Sequence, residues 1–175
     1  MEHIPEQNRP GIAALKLPAN IARLVAQADN LMITPDGAVE KGQLQTQEHR
    51  HVTVFELPRT DKKLAMVHEV MKELKALFGW NEEIKWLTKD LVLECSALSL
   101  PPGTTCVIIP QPYPQESQVI FHREKQVLGM PDWKSSIAYM LEPGISIRVK
   151  GTARFYAITF PAPPAELGGP KEWAM

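Results

Sequence analysis

Residues 51–57 read His-Val-Thr-Val-Phe-Glu-Leu. β-Branched and aromatic residues dominate the run and Pro58 closes it, which predicts a strand. Strand side chains alternate, so His51, Thr53 and Phe55 share one face and Val52, Val54 and Glu56 the other. An imidazole can move a proton near neutral pH, and a hydroxyl two residues on can donate to the same small anion. His49 has the same parity and joins them if the strand starts early. The plainer reading of the triplet alone is a sheet strand with a polar exposed face.

Outward from this strand, Asp61 to Phe78 reads as a helix. Leu64, Val67, Met71, Leu74 and Phe78 recur at steps of three and four, and Gly79 ends the run as a C-terminal cap. Gly11 to Leu17 reads as a strand and Ala19 to Leu31 as a helix with Asn20 as N-cap, and Thr34–Gly37 is a turn signal. Leu91–Leu98 and Thr104–Ile109 flank Pro101-Pro-Gly103 and read as a hairpin. Gln115 to Leu128 reads as a helix and Trp133 to Leu141 as a strand. Ile145 to Phe160 holds one long strand or two, with Gly151 as a bend. Residues 1–10 read as a flexible polar arm, 11–160 as one two-lobed domain, and 161–175 as a tail rich in Pro and Gly.

A second run, Lys134-Ser-Ser-Ile137, opens the strand at 133–141. Lys134 and Ser136 share a face there, as His51 and Thr53 do in the first half, with Ser135, Ile137 and Tyr139 on the other. This echo, at about half a chain's distance, predicts an α+β protein of two pseudo-symmetric lobes. Each lobe would be a small antiparallel sheet with flanking helices, and the two would surround a central cleft.

Composition sets the outer limits. The chain has 175 residues, 44% of them hydrophobic and 22% charged, with a formal net charge of −1. That is core enough for one globular domain and speaks against a broad polybasic surface. No apolar run approaches the roughly 18 residues of a spanning helix. Cys95 and Cys106 are too few for a zinc site or a disulfide scaffold. In a hairpin they could lie opposite each other, but reduced thiols in a cytoplasmic setting are the default. No zinc-protease, P-loop or dinucleotide-binding motif occurs, and neither Ser96 nor Ser99 sits in a glycine elbow.

The two runs together resemble the two-histidine (2H) phosphoesterase superfamily, whose motif is His-x-Thr/Ser-x on the central strands of two lobes. His51-Val-Thr-Val54 matches the first motif; Lys134-Ser-Ser-Ile137 matches the second except that Lys134 stands at the histidine. The resemblance implies a metal-independent phosphoesterase, without a cofactor, acting on a 2′,3′-cyclic or oligonucleotide phosphodiester. His51 would be the acid or base, and Thr53 and Ser136 would hold the phosphoryl oxygens. Lysine titrates near 10.4 against about 6.5 for histidine, so Lys134 would serve as a fixed charge rather than a base. Trp133, beside it, is a base-stacking candidate, and Tyr139 and His122 are further substrate-binding candidates; His122 would lie on the helix expected at 115–128. The alternatives are a catalytically silent nucleotide- or RNA-binding module on the same fold, and a protein-interaction domain. A monomer with a nucleotide or oligonucleotide partner and no membrane association is expected.

Overall fold

A computed structural model describes residues 1–28, 53–57, 60–80, 83–112 and 117–161. Thirteen elements follow one another among the described residues. They are β1 (Glu2–His3), a 3-10 turn (Pro5–Gln7), β2 (Ile12–Lys16), α1 (Ala19–Ala28), β3 (Thr53–Leu57), α2 (Asp61–Phe78), β4 (Leu87–Glu94), β5 (Ala97–Ser99), β6 (Thr104–Gln111), β7 (Ser117–Arg123), β8 (Gln126–Gly129), β9 (Ile137–Leu141) and β10 (Ile145–Pro161). The turn at Thr34–Gly37 lies outside the described residues, as do His49, His51 and the tail beyond Pro161.

All the strand pairs are antiparallel, and the main strand order is β1-β2-β9-β6-β10-β4-β3. β10 has 17 residues and belongs to two sheets. Its first part, Ile145–Gly151, pairs with β7 and β5, and its second part, Thr152–Pro161, pairs with β4 and β6. The exchange falls at Gly151, whose φ of +82° is one that L side chains rarely adopt. The bend expected there is real, and it curls β5, β7 and β8 over one face of the main sheet.

Period-two alternation sorts the side chains into two cores. Ile145, Ile147, Val149, Ala153, Phe155 and Ala157 of β10 pack inside the curl with Val119 and Phe121 of β7 and Tyr139 of β9. Tyr156, Ile158 and Phe160 turn to the other face, beneath α1 and α2. The main sheet is therefore buried on both sides, and both helices cover the same side.

These observations correct the expected architecture. The described residues form no two helix-flanked lobes; one curled sheet carries one helical layer. Where a helix was expected at 115–128, the described residues from Ser117 on form a hairpin, β7–β8, although Gln, Glu, Lys and Leu favour helix. Val119 and Phe121 bury on one face while Gln118 and His122 take the other, a pattern only a strand satisfies. β4 and β6 are strands as expected but do not pair with each other, because β10 lies between them. Cys95 and Cys106 are accordingly both free. The strand expected from Trp133 begins only at Ile137. Residues 1–10, expected as an arm, carry β1 paired with β2 and a 3-10 turn.

Helix α2 matches its expected bounds. The Thr60 hydroxyl accepts from Lys63 N at 3.3 Å, and Gly79 caps the far end with φ +65°. Its buried stripe is Met66, Val67, Val70, Met71 and Leu74, so Leu64 sits at the boundary rather than the centre. The first turn also sends Lys63 beneath the helix, where its Nζ meets Asp90 Oδ2 at 2.6 Å. The same carboxylate accepts from Arg154 Nε at 3.2 Å and Nη2 at 3.1 Å. All three groups are almost wholly buried, at 4%, 4% and 2% exposure for Lys63, Asp90 and Arg154. Removing one partner from such a cluster is costly because the others stay buried. Asp90→Ala is expected to cost about 3–5 kcal/mol, read as a lower denaturation midpoint with little change in slope, and Asp90→Asn to cost less.

Candidate functional site

The loop from β8 to β9, residues 130–136, shapes the rim of the curl. Asp132 organises it: its carbonyl accepts from Lys134 N at 2.8 Å and from the Tyr139 hydroxyl at 2.6 Å. Tyr139 lies on the inward face of β9, so its ring is in the core and its hydroxyl reaches the rim. Trp133 stacks parallel to that ring at 6.4 Å and meets Phe155 edge-on at 5.8 Å, and Phe121 lies tilted against Tyr139 at 5.6 Å. The aromatic group is thus held from several sides.

The N-terminal segment closes the opposite wall. Arg9 and Ile12 bond each other's backbones at 3.0 and 2.8 Å, which folds residues 9–12 into a tight turn. Asn8 Oδ1 accepts from Ala14 N at 2.9 Å, and Gln7 Oε1 lies 3.2 Å from the Tyr139 hydroxyl. The resulting cavity, about 150 Å³, is lined by Gln7, Arg9, Ile12, Phe121, Gly129, Met130, Pro131, Asp132 and Tyr139. Its floor is aromatic and aliphatic, and its polar groups come from the N-terminal segment and Asp132.

The residues singled out in the sequence scatter across this frame. Thr53 begins β3, in register with Glu94 at one edge of the sheet. Lys134 and Ser136 precede β9, and both are exposed. Strands β6, β10 and β4 separate β9 from β3, about 19 Å along the sheet at the usual strand spacing. Lys134 instead pairs with Asp132 at 2.6 Å in the open, where such a contact adds little stability. His122 lies on the outward face of β7; its Nε2 is buried with no partner among the described residues. Trp133 is packed against the core rather than presented to a ligand. Among the candidates that fall on described residues, Tyr139 alone lines the cavity. Gln7 and Arg9 carried no sequence signal beyond the turn residues Pro10 and Gly11.

No family model and no curated protein matches the chain. Among solved structures it is similar to a prolyl hydroxylase in complex with a hypoxia inducible factor oxygen degradation domain peptide fragment, from Trichoplax adhaerens. The TM-score is 0.56 at 12% identity, over 87% of this chain and 84% of that one. The likeness is one of fold: a jelly-roll sheet curled on itself with helices on one side. It overturns the expectation of a 2H-type phosphoesterase or phosphodiesterase, because that chemistry was expected across two facing lobes and the described residues form none. The nucleotide- or RNA-binding alternative was tied to the same lobes and loses them too, and nothing supports the protein-interaction alternative.

Hydroxylases of the 2-oxoglutarate oxygenase type use a non-haem iron held by two histidines and a carboxylate. Among the described residues no three His, Cys, Asp or Glu side chains could hold a metal ion. The inside of the curl is lined instead by Val119, Phe121, Ile147, Val149 and Phe155. The described residues do not fit an iron centre. Also among the described residues, no helix is long and apolar enough to cross a membrane.

Two groups in this core titrate abnormally. Burial raises the Tyr139 phenol, and the Asp132 carboxylate adds to the rise. Burial raises the Cys106 thiol against a smaller opposing hydrogen bond from the Ile158 backbone. Both pKa values are higher folded than unfolded, so the stability they contribute is complete below the unfolded values and is lost as pH rises above them. Urea midpoints should therefore fall between pH 8 and about pH 10.5. A Tyr139→Phe, Cys106→Val variant should show a smaller fall.

Proposed function

We propose that this chain is a binding module on an oxygenase-type jelly roll, with the rim cavity as its ligand seat. The observation that carries the reading is that cavity: an aromatic floor that is already rigid, beneath polar groups brought from two separate parts of the chain. Trp133 and Phe121 pack on the Tyr139 ring, Phe155 backs Trp133, and the Asp132 carbonyl holds the Tyr139 hydroxyl. A ligand entering such a site orders little that is not ordered already, which favours binding.

Size narrows the class. At about 150 Å³ the cavity is below the roughly 300 Å³ at which pockets for drug-sized ligands begin. A small organic molecule suits it, and a nucleotide does not. Oxidative chemistry has no support in the described residues, since the wall of the curl is apolar where a metal would need ligands.

A fragment screen by protein-detected NMR on the full chain tests this. Small amphipathic fragments should shift the amides of Phe121, Gly129 and Tyr139 together, and Tyr139→Ala should abolish the response. A parallel incubation with Fe(II) and 2-oxoglutarate should yield no succinate. Succinate formation that disappears in His49→Ala and His51→Ala would instead establish an iron oxygenase and overturn the reading.

A further inference from the structure

We propose that the rim cavity recognises a small organic carboxylate, gripped by Arg9, with its apolar body against Phe121, Met130 and Pro131. This rests on the reading of the cavity as a ligand seat. Arg9 is pre-oriented: its Nη1 donates to Glu6 O at 3.2 Å and to Asn8 O at 2.6 Å. A guanidinium has five donors, and Nε and Nη2 have no partner among the described residues. That free edge of the fork has the geometry that carboxylates accept in pairs.

The Arg9 side chain runs past Gly129. A methyl group at its Cα would come within 3.4 Å of Arg9 Nε and 3.9 Å of Cδ and Cγ, so the arginine stem lies directly against the glycine backbone.

Among the described charged residues at the cavity, Arg9 is the one without an ion-pair partner. Asp132, which also lines the cavity, is taken by Lys134 at 2.6 Å. Arg123, near the turn at Gly11, is taken by Glu142 at 2.8 Å. An anion is therefore favoured over a cation. The apolar share of the lining, with Met130 63% exposed at the mouth, calls for an organic body rather than a bare inorganic ion.

Four probes of related shape decide the matter on the full chain: phenylacetate, phenylacetamide, 2-phenylethylamine and inorganic phosphate, titrated by NMR and calorimetry. Phenylacetate is expected to bind at the Phe121, Gly129 and Tyr139 amides, with the amide about tenfold weaker and the amine weaker still. Arg9→Met should reduce phenylacetate affinity by about tenfold at unchanged melting temperature, Arg9→Lys should restore part of it, and added salt should weaken it. Equal binding of amide and carboxylate, or no effect of Arg9→Met, overturns the carboxylate assignment while the ligand seat stands. Phosphate binding as tight as phenylacetate overturns the organic body. Silence from all four probes, with fragments also silent, removes the seat itself.

Discussion

Strand β10 imposes the constraint on which the remaining structure depends. Its odd-numbered side chains from Ile145 to Ala157 stay on one face while its pairing partners change at Gly151. A strand cannot serve two sheets without turning that face through the bend, so the sheet must curl and enclose it. Burial of a large apolar side chain contributes roughly 1.5–3 kcal/mol, and β10 supplies several on each face. Breaking the strand at Gly151 into two independent strands would leave β5, β7 and β8 without a reason to fold back.

The helical layer is joined to that sheet by a different kind of contact. Met66, Val70 and Leu74 of α2 give it area, but Lys63, Asp90 and Arg154 give it registry. Asp90 lies on β4 and Arg154 on β10, so one carboxylate ties two neighbouring strands to the first turn of the helix. Lys63 Nζ also stands 5.8 Å above the Tyr156 ring. Apolar packing tolerates a small slide, whereas a shared buried carboxylate penalises one, because any displacement strands a charge away from water.

The rim cavity arises where these two constraints leave the sheet open. Among the described residues no strand closes the curl between β2 and β7, and the N-terminal segment and the loop at 130–136 come together across the gap. Tyr139 serves both regions: its ring belongs to the core and its hydroxyl to the rim. The polar groups around it are therefore mounted on a rigid base, although two of them, Gln7 and Arg9, belong to a segment with almost no apolar character.

Local periodicity was enough to read α2, β2 and β6, and left 145–160 open as one strand or two with a bend or turn at Gly151, because the steps of 3.6 and 2 that mark a buried face are written within a few residues. It misled at 118–128, where helix-favouring residues lie on a strand whose hydrogen-bond partners are distant in the chain. It could not show that β10 separates β4 from β6, which removed both the expected hairpin and any meeting of Cys95 with Cys106. Nor could it show that three strands stand between β3, which Thr53 begins, and β9, which Ser136 precedes, because two similar short runs say nothing about where their strands sit in a sheet. Tyr139 stood out as an aromatic beside a motif, but its role at the cavity depends on Gln7, Arg9 and Asp132, which only the closed sheet brings to it. Which residues bury is decided by spacing along the chain; which residues meet is decided by strand order, and antiparallel pairing between distant segments leaves no periodic mark on the sequence.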